Sequence, residues 1–156
     1  MNVQNLQQFL IDSNAAGYAG GEEKKWIKEP NGSTTIPFIL GEFSSHDNFF
    51  GGEPYGGRVI VSYKQKPVWM MVYYGWVTKG IDTAIIYPIL RTALKNMPKE
   101  APFRGPRELS IEEYVYKNTW TGIIEQYSGE ECIIQGDTLL YTANYMGGLV
   151  DTRAGV

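Results

Sequence analysis

Apolar residues recur along this chain at two different spacings, one typical of helices and one typical of strands. Near the N-terminus and again in the middle of the chain they recur three and four residues apart, which predicts two amphipathic helices. The first is predicted over residues 4–16, with Gly17 ending it, and the second runs from an Asp82 N-cap to Asn96. The apolar positions that define these helices are Leu6, Phe9 and Leu10 in the first, and Ile85, Ile86, Ile89, Leu90, Ala93 and Leu94 in the second.

Strand-like alternation follows each predicted helix, after a polar stretch that carries glycine and proline. These stretches, residues 20–35 and 97–107, are predicted loops. Tight polar turns at 64–66 and 136–137 join the last two strands of each group, as in a β-hairpin. The predicted strands span residues 36–43, 57–63 and 67–76 after the first helix, and residues 110–117, 129–135 and 138–146 after the second.

The strand predicted over residues 67–76 is the most apolar of the six. Trp69, Met71 and Tyr73 point to one face of it, because side chains alternate along a strand. The residues between them are mostly apolar as well. Both faces are therefore expected to be buried, which is typical of a strand in the middle of a sheet.

The two groups of elements read as two copies of one unit, the first over residues 4–77 and the second over residues 82–150. Aligned pairs at an offset of 72 residues are Tyr55 with Tyr127, Val59 with Glu131, Trp69 with Tyr141 and Tyr73 with Tyr145; upstream, at 71 residues, Asp47 aligns with Asn118 and Phe49 with Trp120. A slip of one residue is what a bulge or a changed turn would leave. Two copies, rather than three or more, favour one pseudo-symmetric domain over a solenoid.

These patterns together predict the fold class. A helix-β-β-β unit used twice gives a single α+β domain over residues 1–156. We expect a mainly antiparallel sheet with the two helices packed on it, and an approximate two-fold axis between the halves.

Composition and charge narrow the classes of function. The formal net charge of −3 gives no basic field, so direct binding to a nucleic acid is not expected. No apolar run reaches the length of a membrane helix, and residues 1–5 do not resemble a signal peptide, so we expect no membrane association. The single Cys132 cannot form an internal disulfide, which favours the cytoplasm.

Aromatic residues make up 13% of the chain, and 11 of them are tyrosines. Tyrosine and tryptophan bury a flat ring and keep a polar group that needs a partner. One interpretation is an ordinary β-rich core. The other is a concave site lined by stacking rings, for which Trp69, Tyr73, Tyr141 and Tyr145 share the required strand face.

No catalytic or metal signature is present. His46 is followed by Asp47, and such a pair could orient a base, but neighbours on a strand face opposite ways and the aligned pair in the second copy is Lys117-Asn118. The preferred interpretation is that Asp47 and Asn118 form turns. One histidine and one cysteine give no metal-ligand spacing, and no cofactor is expected.

Two charged residues stand out as candidates for a site. Arg104 lies between Pro102 and Pro106, which would hold its guanidinium in place for a carboxylate or an aromatic ring. Glu131 aligns with Val59, so one copy has a carboxylate where the other has an aliphatic side chain. The alternatives are that Arg104 anchors its loop and that Glu131 reflects neutral drift.

Several motifs together resemble an uncharacterised bacterial domain family of unknown function. They are Trp69-x-Met71-x-Tyr73-Tyr74-Gly75, Phe103-Arg104-Gly105-Pro106, Tyr127-x-Gly129-x-Glu131 and Tyr145-x-Gly147-Gly148. The resemblance spans nearly the whole chain and implies a small protein that stands alone or is associated with helix-turn-helix transcription regulators. It names no activity. The first copy departs from the family pattern with Gly57-Arg58-Val59, which puts two equivalent sites in doubt.

Three functions from different classes remain open. The first is a small cytoplasmic binding module for a small planar or anionic ligand, with Trp69, Tyr73, Tyr141, Tyr145, Arg104 and Glu131 as the site residues. The second is an interaction module whose aromatic face binds a second copy of the chain or a transcription regulator. The third is an enzyme that uses Glu131 or Asp47 as a base. A melting-shift screen separates the first from the others.

Overall fold

The computed structural model of the chain describes residues 1–19 and 26–153, and within them it is an α+β protein with two helices and a nine-stranded antiparallel sheet. The helices are α1 (Val3–Ala19) and α2 (Thr83–Lys95). The strands are β1 (Ile27–Lys28), β2 (Thr34–Leu40), β3 (Phe43–Gly51), β4 (Tyr55–Tyr63), β5 (Lys66–Val77), β6 (Glu108–Ile111), β7 (Tyr114–Ile123), β8 (Gln126–Gln135) and β9 (Thr138–Leu149).

The strand order across the sheet is β1-β2-β3-β4-β5-β9-β8-β7-β6. Strands that follow each other in the chain pair antiparallel, from β1 to β5 and from β6 to β9. In the middle of the sheet, β5 pairs with β9. Moving outward from the β5–β9 pair, the strands run in reverse chain order on either side. Tyr73 lies opposite Tyr145 at this central pair.

The first half of the sheet is β1–β5 and the second half is β6–β9. Each half contains one long strand more than the sequence predicted. The strand predicted over 36–43 is broken by a turn at Gly41, which takes a φ of +60°, and the strand predicted over 110–117 is broken at Glu112, with a φ of +54°. The chain beyond each turn forms β3 and β7. The helix-β-β-β unit is therefore wrong in its strand number, because the turns Gly41-Glu42 and Glu112-Glu113 are only two residues long and were included in single predicted strands.

The turns predicted for Asp47 and Asn118 are also wrong. Both residues lie inside long strands, Asp47 in β3 and Asn118 in β7. The polar stretch around Asp47 looks like a turn in the sequence because inward-facing polar side chains break the expected alternation. The partners of these side chains come from distant parts of the chain.

The second helix lies where it was predicted. The side chain of Asp82 accepts a hydrogen bond from the backbone of Ala84, and Asn96 caps the C-terminus. The first helix continues through Gly17 to Ala19, since a glycine costs a helix only about 1 kcal/mol. Of the loop predicted over 20–35, residues 20–25 lie outside the described residues, and the remainder includes β1 and the start of β2.

Two buried clusters form the core. The first joins Leu6 and Phe9 of α1 to residues of β3, β4 and β5, including Trp69, which is 1% exposed. The second joins Ile86 and Leu90 of α2 to residues of β7, β8 and β9. The sheet face that carries Trp69 is thus the covered face.

The opposite face of β5 is open, contrary to the expectation that both faces are buried. Val72, Tyr74 and Trp76 are exposed by 39%, 53% and 39%. The strand is central in the sheet as predicted, but an antiparallel sheet covered on one side leaves its other side in water.

Candidate functional site

A cavity of about 730 Å³ lies between the two helices, the 97–107 loop and the covered face of the first half of the sheet. Its walls are mostly apolar and aromatic. Residues that line it include Leu10, Phe38, Phe49, Trp69, Leu94 and Phe103. Charged side chains reach it from several elements. Lys28 and Arg91 are exposed, whereas Asp47 is partly buried and Arg104 is buried.

Arg104 and Glu131 form a buried ion pair. Nη2 of Arg104 lies 2.5 Å from Oε1 of Glu131, and Nε donates to the same oxygen at 3.1 Å. The arginine side chain is 8% exposed and the glutamate side chain is fully enclosed. A pair this deep is maintained only when the remaining polar atoms also have partners.

Tyrosine hydroxyls provide those partners. Tyr116 donates to Oε2 of Glu131 at 2.5 Å, and Tyr141 donates to Oε1 at 3.0 Å. Because the Tyr141 proton is used in this way, the hydrogen bond between the hydroxyls of Tyr55 and Tyr141 has Tyr55 as donor. The oxygen of Tyr55 in turn accepts from Nη2 of Arg104 at 3.4 Å, which closes a ring of hydrogen bonds.

The ring of hydrogen bonds is attached to the 97–107 loop through its backbone. The amide of Gly105 donates to the Tyr116 hydroxyl at 3.1 Å, and Asn118 donates to the Gly105 carbonyl at 2.8 Å. A Cβ at Gly105 would lie 2.7 Å from the Tyr116 ring, so only glycine allows this approach. The position of Arg104 is therefore set by the sheet and not by the loop alone.

The protonation states of this network follow from burial and from the ion pair. Burial raises the pKa values of Tyr55, Tyr116 and Tyr141, so their hydroxyls remain protonated donors. Burial acts to lower the pKa of Arg104, but the charge and hydrogen bond of Glu131, together with Tyr55 and Tyr141, outweigh burial, and the pKa is raised overall. The guanidinium stays charged.

Asp47 lies beside this network on β3. The hydroxyl of Tyr73 donates to its Oδ1 at 2.5 Å. Burial raises the pKa of Asp47, although the Tyr73 hydrogen bond and the charge of Arg104 act to lower it. The guanidinium carbon of Arg104 lies 5.7 Å from the centre of the Tyr73 ring, so one tyrosine contacts both charged groups.

Two polar groups at the cavity retain unused hydrogen-bonding capacity. Within residues 1–19 and 26–153, no donor is placed on Oδ2 of Asp47 and no acceptor is placed on Nη1 of Arg104. In the same residues, the one fully enclosed side-chain polar atom without a hydrogen bond is the Tyr127 hydroxyl. Oδ2 and Nη1 are therefore not sealed from solvent.

The six residues predicted for a binding site occupy different positions. Trp69, Tyr73 and Arg104 line the cavity. Glu131 and Tyr141 lie behind Arg104 and hold it in place.

Tyr145 does not line the cavity. It donates to Asn118 at 2.7 Å, in the second half of the sheet.

Sequence reasoning missed Tyr55 and Tyr116, which complete the network, and it misassigned Asp47 to a turn. Tyr55 carried a usable signal, since it aligns with Tyr127 in the second copy. Tyr116 carried none, because its hydroxyl matters only once β7, β8 and the 97–107 loop are brought together.

The structure gives little support to catalysis by the other candidates. His46 is exposed on the open face of the sheet and Asp47 faces the cavity, so the two do not form a dyad. Both oxygens of Glu131 are occupied and enclosed. Among the described residues, no group of three or more His, Cys, Asp or Glu side chains is arranged to hold a metal ion.

Comparison with known proteins gives a family and no activity. The model of a family described as a domain of unknown function, DUF5680, matches residues 47–150. The chain belongs to this family. The matched region begins at Asp47 and includes Tyr55, Arg104, Glu131 and Tyr141, so the DUF5680 domain contains the whole ion-pair network.

No curated protein and no solved structure matches the chain. In the part of the chain that the structure describes, neither helix has the length and apolar character needed to cross a membrane.

Proposed function

We propose that this DUF5680 protein is a small-molecule binding module whose site is the cavity between the helices and the first half of the sheet. The observation that carries the proposal is the combination of apolar aromatic walls with two charged groups that have unused hydrogen-bonding atoms. A cavity of about 730 Å³ falls in the range of roughly 300–1,000 Å³ that is usual for small ligands. The apolar walls would supply affinity, and the charged groups would orient the ligand.

The buried ion pair supports a binding role because it holds Arg104 rigidly. The guanidinium receives support from Glu131 and Tyr55, and Glu131 receives support from Tyr116 and Tyr141. A donor fixed before the ligand arrives loses little side-chain entropy on binding. An arginine needed only to anchor its loop would not need a free Nη1 at a cavity.

The two halves of the sheet differ in a way that favours one site. In the second half, Phe103 stacks on Tyr127 with ring centres 3.7 Å apart, and the 97–107 loop fills the covered face. In the first half, the corresponding face near Asp47 borders the cavity. A single site agrees with the presence of Val59 where the second copy has Glu131.

The proposal also includes the domain architecture, the cellular location and the partner of the protein. We propose one domain built from a tandem repeat with both helices packed on the sheet, which the strand order and the two clusters support. We also propose a cytoplasmic protein of bacterial origin that acts alone or with a helix-turn-helix regulator. The unpaired thiol of Cys132 fits a reducing compartment.

A melting-shift screen with metabolite pools tests the binding function. A ligand at about 100 times its Kd stabilises the folded state by about 2.7 kcal/mol, which raises the melting temperature by several degrees. Ser45→Leu places a larger side chain at the cavity, because Ser45 lines it and is 3% exposed. We expect Ser45→Leu to abolish the ligand-induced shift.

Ser44→Leu is the matched control for this experiment. Ser44 is the neighbouring residue on β3 and points to the other face of the sheet, away from the cavity residues. We expect it to keep the shift. Retention of the shift in Ser45→Leu, or the absence of any stabilising ligand in the screen, would contradict the proposed function.

A second candidate function is protein–protein interaction, through a face different from the one expected. Trp69, Tyr141 and Tyr145 are no more than 3% exposed, so they offer no surface to a partner. The open face instead presents Tyr74, 53% exposed, next to Trp76. Sedimentation at rising concentration tests self-association, and Tyr74→Ser should abolish it if this face is the interface.

A further inference from the structure

We infer that the ligand of this cavity is uncharged and planar, and that its polar edge carries a hydrogen-bond acceptor and a hydrogen-bond donor side by side, as the edge of a lactam ring does. This inference rests on the proposed binding function and names the chemical class of the ligand. The acceptor faces Nη1 of Arg104, and the donor faces Oδ2 of Asp47.

Several polar side chains that line the cavity already have hydrogen-bond partners. Ser13 and Ser45 share a hydrogen bond of 2.9 Å, and Asn14 donates to the Leu94 carbonyl at 2.7 Å. Tyr87 donates its hydroxyl hydrogen to Glu53 at 2.5 Å. These side chains line the cavity but satisfy each other or the backbone. Lys28 and Arg91 also line the cavity, but both are exposed to solvent. Among the described residues, the charged lining groups that are at least partly buried and have atoms to spare are Asp47 and Arg104.

The second step is the placement of these two groups around Tyr73. Its hydroxyl contacts Asp47 at 2.5 Å, and its ring lies 5.7 Å from the guanidinium carbon of Arg104. Both charged groups are thus within the reach of one small ring placed against Tyr73. The aromatic and aliphatic walls, Phe38, Phe49 and Trp69 among them, leave space for a flat apolar body.

The third step is the charge at the site. Glu131 already neutralises Arg104, with the two atoms of the pair 2.5 Å apart. An anionic ligand would add a second negative charge beside Glu131 and near Asp47, and a cationic ligand would face Arg104. A buried charge without a compensating partner is costly, so neither kind of ligand fits. An uncharged edge that gives one hydrogen bond and accepts one satisfies both groups.

Asn118, the residue aligned with Asp47, supports the assignment of Oδ2 of Asp47 to the ligand. Asn118 makes the same tyrosine contact, but its second polar atom donates to the Gly105 carbonyl at 2.8 Å. A backbone acceptor from the 97–107 loop thus satisfies the second polar atom of Asn118, whereas Oδ2 of Asp47 accepts no hydrogen bond from the described residues and can accept one from a ligand donor.

Three ring compounds of similar size test the inference on the intact protein. The compound 2-quinolone is an uncharged lactam, 2-methoxyquinoline keeps the rings but lacks the donor, and 2-naphthoate is an anion. Titration calorimetry should show 2-quinolone binding about tenfold more tightly than either comparator, the effect of about one hydrogen bond to a charged group. This comparison needs no variant and so does not depend on the stability of one.

A variant locates the donor contact. Asp47→Asn keeps an oxygen for Tyr73 but turns Oδ2 into a donor, so it should reduce the preference for 2-quinolone over 2-methoxyquinoline to about twofold or less. His46→Asn, next to it on β3 and exposed on the opposite face, should leave the preference unchanged. A preference that survives Asp47→Asn overturns the inference.

The outcomes separate this inference from the proposed function. Equal binding of the three compounds, or tighter binding of 2-naphthoate, overturns the lactam class and leaves cavity binding intact. If none of them binds at about 1 mM, a concentration that should reveal a ligand of this size, the lactam class is again overturned. The proposed function fails if the metabolite screen is empty or if the ligand-induced shift survives Ser45→Leu.

Discussion

Tyr73 and Tyr145 lie opposite each other on the central strands and donate to Asp47 and Asn118, two polar residues that differ in their remaining contacts among the described residues. Tyr73 donates to Asp47 at 2.5 Å, and Tyr145 donates to Asn118 at 2.7 Å. The amide of Asn118 is bound to the 97–107 loop through Gly105. The second oxygen of Asp47 has no such partner among the described residues, and Asp47 lines the cavity. This difference makes Asp47 a candidate for ligand binding.

The Arg104–Glu131 pair is expected to be strongly coupled. Arg104→Met should lower the free energy of unfolding by about 3–5 kcal/mol, because it leaves the fully enclosed carboxylate of Glu131 without its cation. Glu131→Gln should cost a similar amount. Because the double variant removes both charges, it should cost less than the sum of the two, and urea denaturation of the four proteins measures this coupling. Strictly additive losses would mean that the pair does not act as a unit.

Trp69 is expected to be among the most important core residues. It is 1% exposed, and its indole nitrogen donates to the Ile124 carbonyl at 3.1 Å. Trp69→Ala should therefore cost about 3–5 kcal/mol in the free energy of unfolding. Trp76→Ala on the same strand is the matched control, since Trp76 is on the open face and 39% exposed. A loss at Trp69 as small as the loss at Trp76 would contradict its place in the core.

Gly57 is expected to tolerate no side chain. A Cβ there would lie 2.5 Å from the Asn48 carbonyl oxygen and 2.6 Å from the Tyr73 hydroxyl. Gly57→Ala should push Tyr73 away from Asp47 and destabilise the fold by about 1–3 kcal/mol. The control is Gly52→Ala, where nothing lies within 4 Å of the added atom. Chemical denaturation compares the two, and equal stability would rule out the close approach of Tyr73 to β4.

The sequence predicted most accurately those features of the fold that depend on neighbouring residues. Asp82 and Asn96 flank α2 as predicted, and the hairpin turn after Tyr63 lies at Lys64 and Gln65, both of which have positive φ. Each of these features depends on a few consecutive residues, so the pattern of residue types is sufficient to find it.

The site was less predictable because its contacts are long-range. Asp47 looks like a turn residue until Tyr73 is brought next to it, and Arg104 and Glu131 are 27 residues apart in the chain. The alignment of the two copies pointed to Glu131, since it replaces an aliphatic residue. Nothing in the sequence indicated that Glu131 supports a cavity residue and does not itself face the cavity.

The last prediction concerns the ionisation of Asp47. Burial raises its pKa in the folded protein above the ordinary value of 3.8. Between that value and the raised one, the folded protein binds more protons than the unfolded chain, so the contribution of Asp47 to stability falls as the pH rises. Below this window the carboxyl is protonated in both states and the cost vanishes. Above it the carboxyl is ionised in both states, and the cost stays constant.

Asp47→Asn isolates this effect, because asparagine does not titrate and still accepts a hydrogen bond from Tyr73. Urea denaturation of both proteins at several pH values from about 4 to 8 cancels the contributions of all other titrating groups, which the two proteins share. The native protein should lose stability relative to the variant as the pH rises through the window and should then level off. A difference that is flat, or that moves in favour of the native protein, would show that the Tyr73 hydrogen bond and Arg104 outweigh burial at Asp47.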